Sequence, residues 1–470
     1  MALHYPASTA TGTVGAPVRR RRRRTFGREL VGWVSLPLVL WALVWLSINT
    51  GPWNLHLGAL SGGLSALVNG VRASFPLMAL AVALFALLTR GRQHRPTAAE
   101  AGFWLYATVM LIASLQVSGG VFNTAYWAFA YLGALAVGQL GLSSREPLEF
   151  ARRLNVLSWL AVTLALVTLL VVAREALYAQ GMLSGYGVVT RMGDVSGMPM
   201  SRSSGLSRMA VVPAVIALVG IFSARGAKRF GAMALLAASF LVIWIMQSRG
   251  SLFSFLGAFL FVLFMHGRTS RQIGYAVCIG LPALIAVGLI PESFLSEIWN
   301  HVTRSTGAEG FTTMSGRFNI WNAAWREISN SPIIGHGAQA DRRLLNGTNA
   351  QNAVIYAVMN AGFLGAAGFV LATLLTWLAL ARLVQRRHWM DHDENTMLMI
   401  TGAIVVFSTL RSIPENNAAV FSIDLLLQYA AMIYIVLMDR EVRRRRRAAR
   451  RVRRRRPGEA GVAMAREPIR

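Results

Sequence analysis

Along most of the chain apolar residues continue for about 20 positions at a time, then give way to short breaks carrying arginine, glycine or proline. Runs of that length match a helix crossing the hydrocarbon of a bilayer. The pattern predicts twelve spans, at about 30–50, 71–89, 101–117, 121–141, 154–173, 206–223, 229–247, 251–266, 273–290, 353–382, 396–412 and 417–438. Two polar segments interrupt the series: 174–205, rich in Gly, Ser and Met, and 291–352, about sixty residues long. The second is expected to hold a helix at 316–329 and to carry function, since loops of that length without one are uncommon. The fold class that follows is all-α, an integral membrane protein of about 12 transmembrane helices with a large helical outer loop.

Composition agrees. Hydrophobic residues make up 54% and charged residues 14% of the chain, and mean hydropathy is +0.48, far from the roughly one-quarter charged balance of soluble domains. The net charge of +27 is concentrated in arginine runs at 19–24 and 443–456 and in clusters at 90–95, 152–153, 225–229, 268–271 and 382–388. Twelve spans put all of these on one face, which the positive-inside rule makes cytoplasmic. Beside membrane spans such arginines set topology and touch anionic lipid heads; no nucleic-acid partner is expected. The expected layout is a disordered basic leader at 1–29, spans one to nine at 30–290, an outer catalytic loop at 291–352, spans ten to twelve at 353–438, and a basic cytoplasmic tail at 439–470 that is disordered beyond Arg443. Trp33, Trp41, Trp45 and Trp53 fit an interfacial belt, and the lone Cys278 fits simple packing.

Arg202, Arg208, Arg249, Arg317 and Arg411 stand on the opposite, outer face, where snorkelling to cytoplasmic lipid heads is impossible. Their partners are either acids such as Asp194, Glu292, Glu297 and Glu415 or a shared anionic substrate. Arg317 makes the strongest case. With Ser315 as N-cap, Arg317, Trp321 and Trp325 recur at steps of four on one helix face, and a first-turn arginine is repelled by the helix dipole unless an anion sits there. A planar guanidinium suits phosphate; the plainer alternative is a solvated arginine over Trp321. His336, in a Gly-His-Gly turn expected to be flexible and exposed, is either polar surface or a proton carrier. Asn352, Tyr356 and Asn360 share one face of the tenth span, where sugar hydroxyls could partner them, and Gly362, Gly365 and Gly368 form a stripe for close packing. Arg411 and Glu415 either pair with each other or leave Glu415 as a base.

The strings SRG at 248–250, SGRFNIWNAAWREISNSPIIGHG at 315–337, QNAVIYAVMNAGFLG at 351–365 and RSIPEN at 411–416 resemble the O-antigen ligase and O-antigen polymerase superfamily of bacterial inner-membrane glycosyltransferases, over roughly 200–440. The resemblance implies a multi-pass inner-membrane protein, both termini cytoplasmic, with a periplasmic loop over the site. It implies a metal-independent, inverting transfer of a glycan from undecaprenyl diphosphate to another glycan or to lipid A-core, with no cofactor. Arginines hold the diphosphate in that family, which maps onto Arg249 and Arg317 with Arg202 or Arg208 as a third; Gln351, Asn352, Tyr356, Asn360 and Trp321 become substrate contacts. One departure stands out: Gln351 occupies the place of the family's histidine, and an amide cannot accept a proton as a base. His336 or Glu415 takes that role, or stabilising the leaving diphosphate suffices. The departure shifts the expectation modestly from ligase toward polymerase. A transporter or flippase is the alternative, and it would need broken, repeat-related helices and charges buried in mid-span; neither is evident in the sequence.

Overall fold

A computed structural model describes residues 35–48, 62–89, 94–172, 203–246, 248–280, 282, 291–303 and 316–455. The basic leader, Arg202, Ser315 and most of the expected ninth span fall outside these. The helices are α1 Leu36–Leu46, α2 Gly62–Thr89, α3 Ala98–Leu115, α4 Val121–Leu142, α5 Pro147–Val172, α6 Ser203–Ser223, α7 Ala227–Ile245, α8 Arg249–His266, α9 Arg268–Tyr275, α10 Glu292–Thr303, α11 Arg317–Ile328, α12 Ala340–Leu344, α13 Ala353–Gln385, α14 His392–Arg411 and α15 Ile423–Arg455. There is no strand among the described residues. Among the described residues eight helices, α2 to α8 and α13, are long and apolar enough to cross a membrane; α14 and α15 stand at the expected eleventh and twelfth spans.

The stripe on α13 does two different things. Gly368 meets Gly102 of α3 so closely that a Cβ at Gly102 would lie 2.4 Å from the Gly368 carbonyl oxygen, and Gly365 faces Val109 of the same helix. Small residues let these two backbones touch, as expected for a helix pair in lipid. Gly362 instead breaks the helix, with φ 59 and ψ −173. A break within a span frees backbone groups that must find partners, and the 332–337 loop supplies them. The amides of Phe363 and Leu364 donate to the carbonyls of Pro332 (2.7 Å) and Ile333 (3.2 Å), while those of His336 and Gly337 donate to Met359 (2.8 Å) and Asn360 (2.9 Å). A Cβ at Gly362 would lie 2.1 Å from the Ile333 carbonyl oxygen, so glycine is required for space as well as for φ. From Gly362 to Gln385 the helix is by itself long enough to cross about 30 Å of hydrocarbon.

Several expectations are corrected. The Gly-His-Gly turn is docked into the helix break rather than flexible. Trp41 and Trp45 are buried, both indole nitrogens donating to Ser158 Oγ at 2.9 and 3.3 Å, and are no interfacial belt. Cys278 is exposed. The chain beyond Arg443 remains helical to Arg455 rather than disordered, and a broken helix, absent from the sequence reading, exists in α13.

Candidate functional site

Segments far apart in sequence meet at one end of the bundle: the starts of α8 and α11, the turn before α13, and the 411–417 loop after α14. Polar backbone contacts knit them. Asn352 caps α13, its Oδ1 accepting from the amides of Val354 (3.0 Å) and Ile355 (2.9 Å), while its Nδ2 donates to the Ile413 carbonyl at 3.0 Å. The Asn352 amide donates to Asn416 Oδ1 at 3.2 Å, and that of Ala353 to the Ser412 carbonyl at 3.0 Å. Asp341 of α12, 1% exposed, accepts from the amides of Ala350 (3.0 Å) and Arg342 (2.8 Å) and from Asn416 Nδ2 (3.4 Å). Burial pushes its carboxyl above the ordinary range, with the Ala350 and Arg342 amides, the Arg342 charge and Asn416 opposing.

Arg317 opens α11 behind Gly316, whose φ of 81 provides no side-chain cap. Its Nε donates to Gln351 Oε1 at 2.6 Å. Burial pushes the guanidinium below its ordinary value; Glu415 opposes the shift and Arg249 adds to it. Arginine keeps its proton in proteins, so the shift means that this charge is poorly compensated where it stands. Arg249, Arg317 and Glu415 therefore share one electrostatic neighbourhood, and a Cβ at Gly250 would lie 3.3 Å from Pro414 Cγ, which sets the start of α8 against the same loop. Trp321 donates from Nε1 to the Ala350 carbonyl at 2.9 Å, tying α11 to the Gln351 turn.

A second arginine pair lies alongside. Arg208 Nη1 and Arg411 Nη1 approach Asp424 Oδ2 at 2.7 and 3.1 Å, and Arg411 Nη1 also donates to Asn417 Oδ1 at 2.9 Å. Arg411 and Asp424 are buried, and Glu415 reaches Arg411 only at 3.9 Å. Arg208 is thus committed to a carboxylate.

His336, Tyr356 and Asn360 are held elsewhere. His336 Nε2 lies 2.8 Å from the Glu327 carbonyl, which can only accept, so that nitrogen carries the proton. Arg343 Nη2 donates to the His336 carbonyl. Tyr356 and Asn360 are 3% and 0% exposed, and Asn360 Oδ1 accepts from the Ala340 amide at 3.1 Å. They are packed in the protein interior rather than facing an open path. Sequence reasoning missed Asp341, Asn416 and Asp424; the available signal was an acid just inside the twelfth apolar run.

Residues 232–370 match the family model described as O-antigen ligase. The stretch runs from α7 into α13 and includes Arg249, Arg317, Trp321, His336 and Gln351; Arg208 and Glu415 lie outside it. A search of curated proteins found no match. The family implies glycosyltransferase-type chemistry between a lipid-linked glycan donor and a glycan acceptor in a multi-pass membrane protein.

Proposed function

We propose that this chain, whose residues 232–370 match the O-antigen ligase family model, transfers a glycan from undecaprenyl diphosphate to an acceptor sugar at the outer face of the bacterial inner membrane. The reading rests on one observation: Arg317, half-buried at a helix start beside Arg249, has a neutral amide as its direct partner. Such a site gains when an anion arrives.

In the reaction the anomeric carbon–oxygen bond to the diphosphate breaks, and its electrons go to the leaving oxygen, held by Arg317 and Arg249 together with the first amides of α11. The acceptor hydroxyl attacks from the opposite face, inverting the anomeric centre, and its proton passes to Glu415. No metal is needed, because the guanidiniums meet the developing charge. Glu415 is favoured over His336 as base because it shares the Arg317 neighbourhood, whereas the His336 ring is engaged by Glu327. Gln351 positions Arg317 rather than moving a proton. Its presence in place of a histidine favours polymerisation over ligation to lipid A-core.

The test is purified protein with an undecaprenyl diphosphate oligosaccharide, alone and with lipid A-core. A ladder from donor alone supports a polymerase, and one shifted band requiring lipid A-core supports a ligase. No product with either, from folded protein, overturns the reading. The break in α13 is a feature that transporters use, but here its freed groups are filled by the 332–337 loop; movement of intact donor across vesicles without bond exchange would favour that alternative.

A further inference from the structure

At the arginine-rich end, opposite the Arg317 cluster, a cavity of about 890 Å³ opens between the last turns of α13, the first turn of α3 and the extension of α15. Its polar wall is Arg382, Arg440, Arg443, Arg444, Arg447 and Arg451, with Asp439 the one acid lining it. Asp439 is buried and already engaged, with Arg382 Nε at 3.0 Å, Arg386 Nη1 at 3.8 Å and Arg443. Arg440, Arg444, Arg447 and Arg451 follow one another at steps of four, three and four, which puts them on one face of α15, where like charges destabilise the helix. Among the described residues no carboxylate pairs with Arg440, Arg447 or Arg451, and the Arg443 Nε is buried without a hydrogen-bond partner. Arg445, on another face, shows the contrast: Glu394 binds it at 2.8 and 2.9 Å and Glu441 at 3.3 Å.

The remaining wall is apolar, with Leu375, Ala379 and Val436. These residues lie where apolar spans end and arginines begin, the level of lipid headgroups in a bilayer. A cavity with unpaired guanidiniums at its mouth and an aliphatic flank at that depth matches an amphiphilic anion. We propose that it binds an anionic phospholipid of the bilayer, the phosphate gathered by Arg440, Arg444, Arg447 and Arg451 and the acyl chains laid along Leu375, Ala379 and Val436.

The test titrates full-length protein in detergent with phosphatidylglycerol, phosphatidylcholine or inorganic diphosphate, reading the unfolding midpoint and the lipid retained in native mass spectra. Phosphatidylglycerol is expected to raise the midpoint saturably and to stay bound, with the other two weaker. The pair Arg440→Gln/Arg447→Gln should weaken that response about tenfold or more, while the charge-matched Arg446→Gln/Arg450→Gln, off the cavity, should leave it unchanged. Equal loss in both pairs would show diffuse attraction and overturn the site. An equal rise with diphosphate would overturn the lipid, and an equal rise with phosphatidylcholine would overturn the role of charge. Should the first pair lower the lipid-free midpoint, the Arg440→Gln variant reads the same affinity with less disturbance.

Discussion

Two arginine pairs stand side by side at one end of this bundle, and they differ in what answers their charge. Arg208 and Arg411 close on Asp424 at 2.7 and 3.1 Å. Arg317, with Arg249 nearby, hydrogen-bonds a neutral amide, and burial outweighs the help of Glu415. Buried opposite charges that satisfy one another form a fixed strut and have little left to offer a ligand. A half-buried cation without a matched anion is less stable alone and better suited to a phosphate. Arginine on the disfavoured side of a membrane is thus not one signal but two, and the carboxylate partner separates them.

The comparison breaks most decisively at Arg317. Arg317→Ala should lower glycan transfer by about 100- to 1,000-fold, the scale of losing a donor to a developing oxyanion, with the unfolding midpoint unmoved. Arg317→Lys should recover only part, because an ammonium cannot reproduce the planar fork. Transfer by Arg317→Ala at more than a tenth of the starting rate would end its assignment to the leaving group.

Next in size comes the strut. Asp424→Ala leaves two guanidiniums without their shared carboxylate and should cost about 3–5 kcal/mol of stability, read as a lower midpoint in detergent. If instead it spared the midpoint and abolished transfer, Arg208 would rejoin the substrate site.

Glu415→Gln sharpens the chemistry. It should slow transfer about a hundredfold with the unfolding midpoint unmoved. An unchanged rate would hand proton transfer back to His336 or to solvent.

The smallest effect concerns the scaffold beneath both pairs. The Asp341 carboxyl is raised above its ordinary 3.8, so the folded protein binds this proton more tightly than the unfolded chain. Its contribution is then most favourable below pH 3.8 and is lost as pH rises through the folded value. Asp341→Asn should flatten that part of the midpoint–pH curve, and an unaltered slope would show that another group titrates there. The variant should also loosen the Gln351 turn, since an amide nitrogen cannot accept from Ala350.

Much of this was legible in the chain. Apolar runs of membrane length identified an all-α membrane protein, because a bilayer leaves few other ways to satisfy a backbone. Arg317 and Arg249 were singled out by standing on the face the charge asymmetry disfavours, Glu415 as an acid able to pair or act as a base, and the structure brings them into one neighbourhood. Gly365 and Gly368 announced close packing by their spacing, which α3 completes.

Other features depended on what lay across the fold. Gly362 belongs to the same stripe yet takes a positive φ, because a loop some thirty residues earlier inserts beside it. Arg208 and Arg317 both stand on the disfavoured face in sequence, but that Arg208 is answered by a carboxylate was decided by the placement of Asp424. The arginines beyond Arg443 look like a disordered tail until α3 and α13 give one helical face a cavity to line. Hydropathy and charge act along the chain and can be read there. Whether a charge is compensated depends on which residues meet across it, and that was decided by tertiary structure.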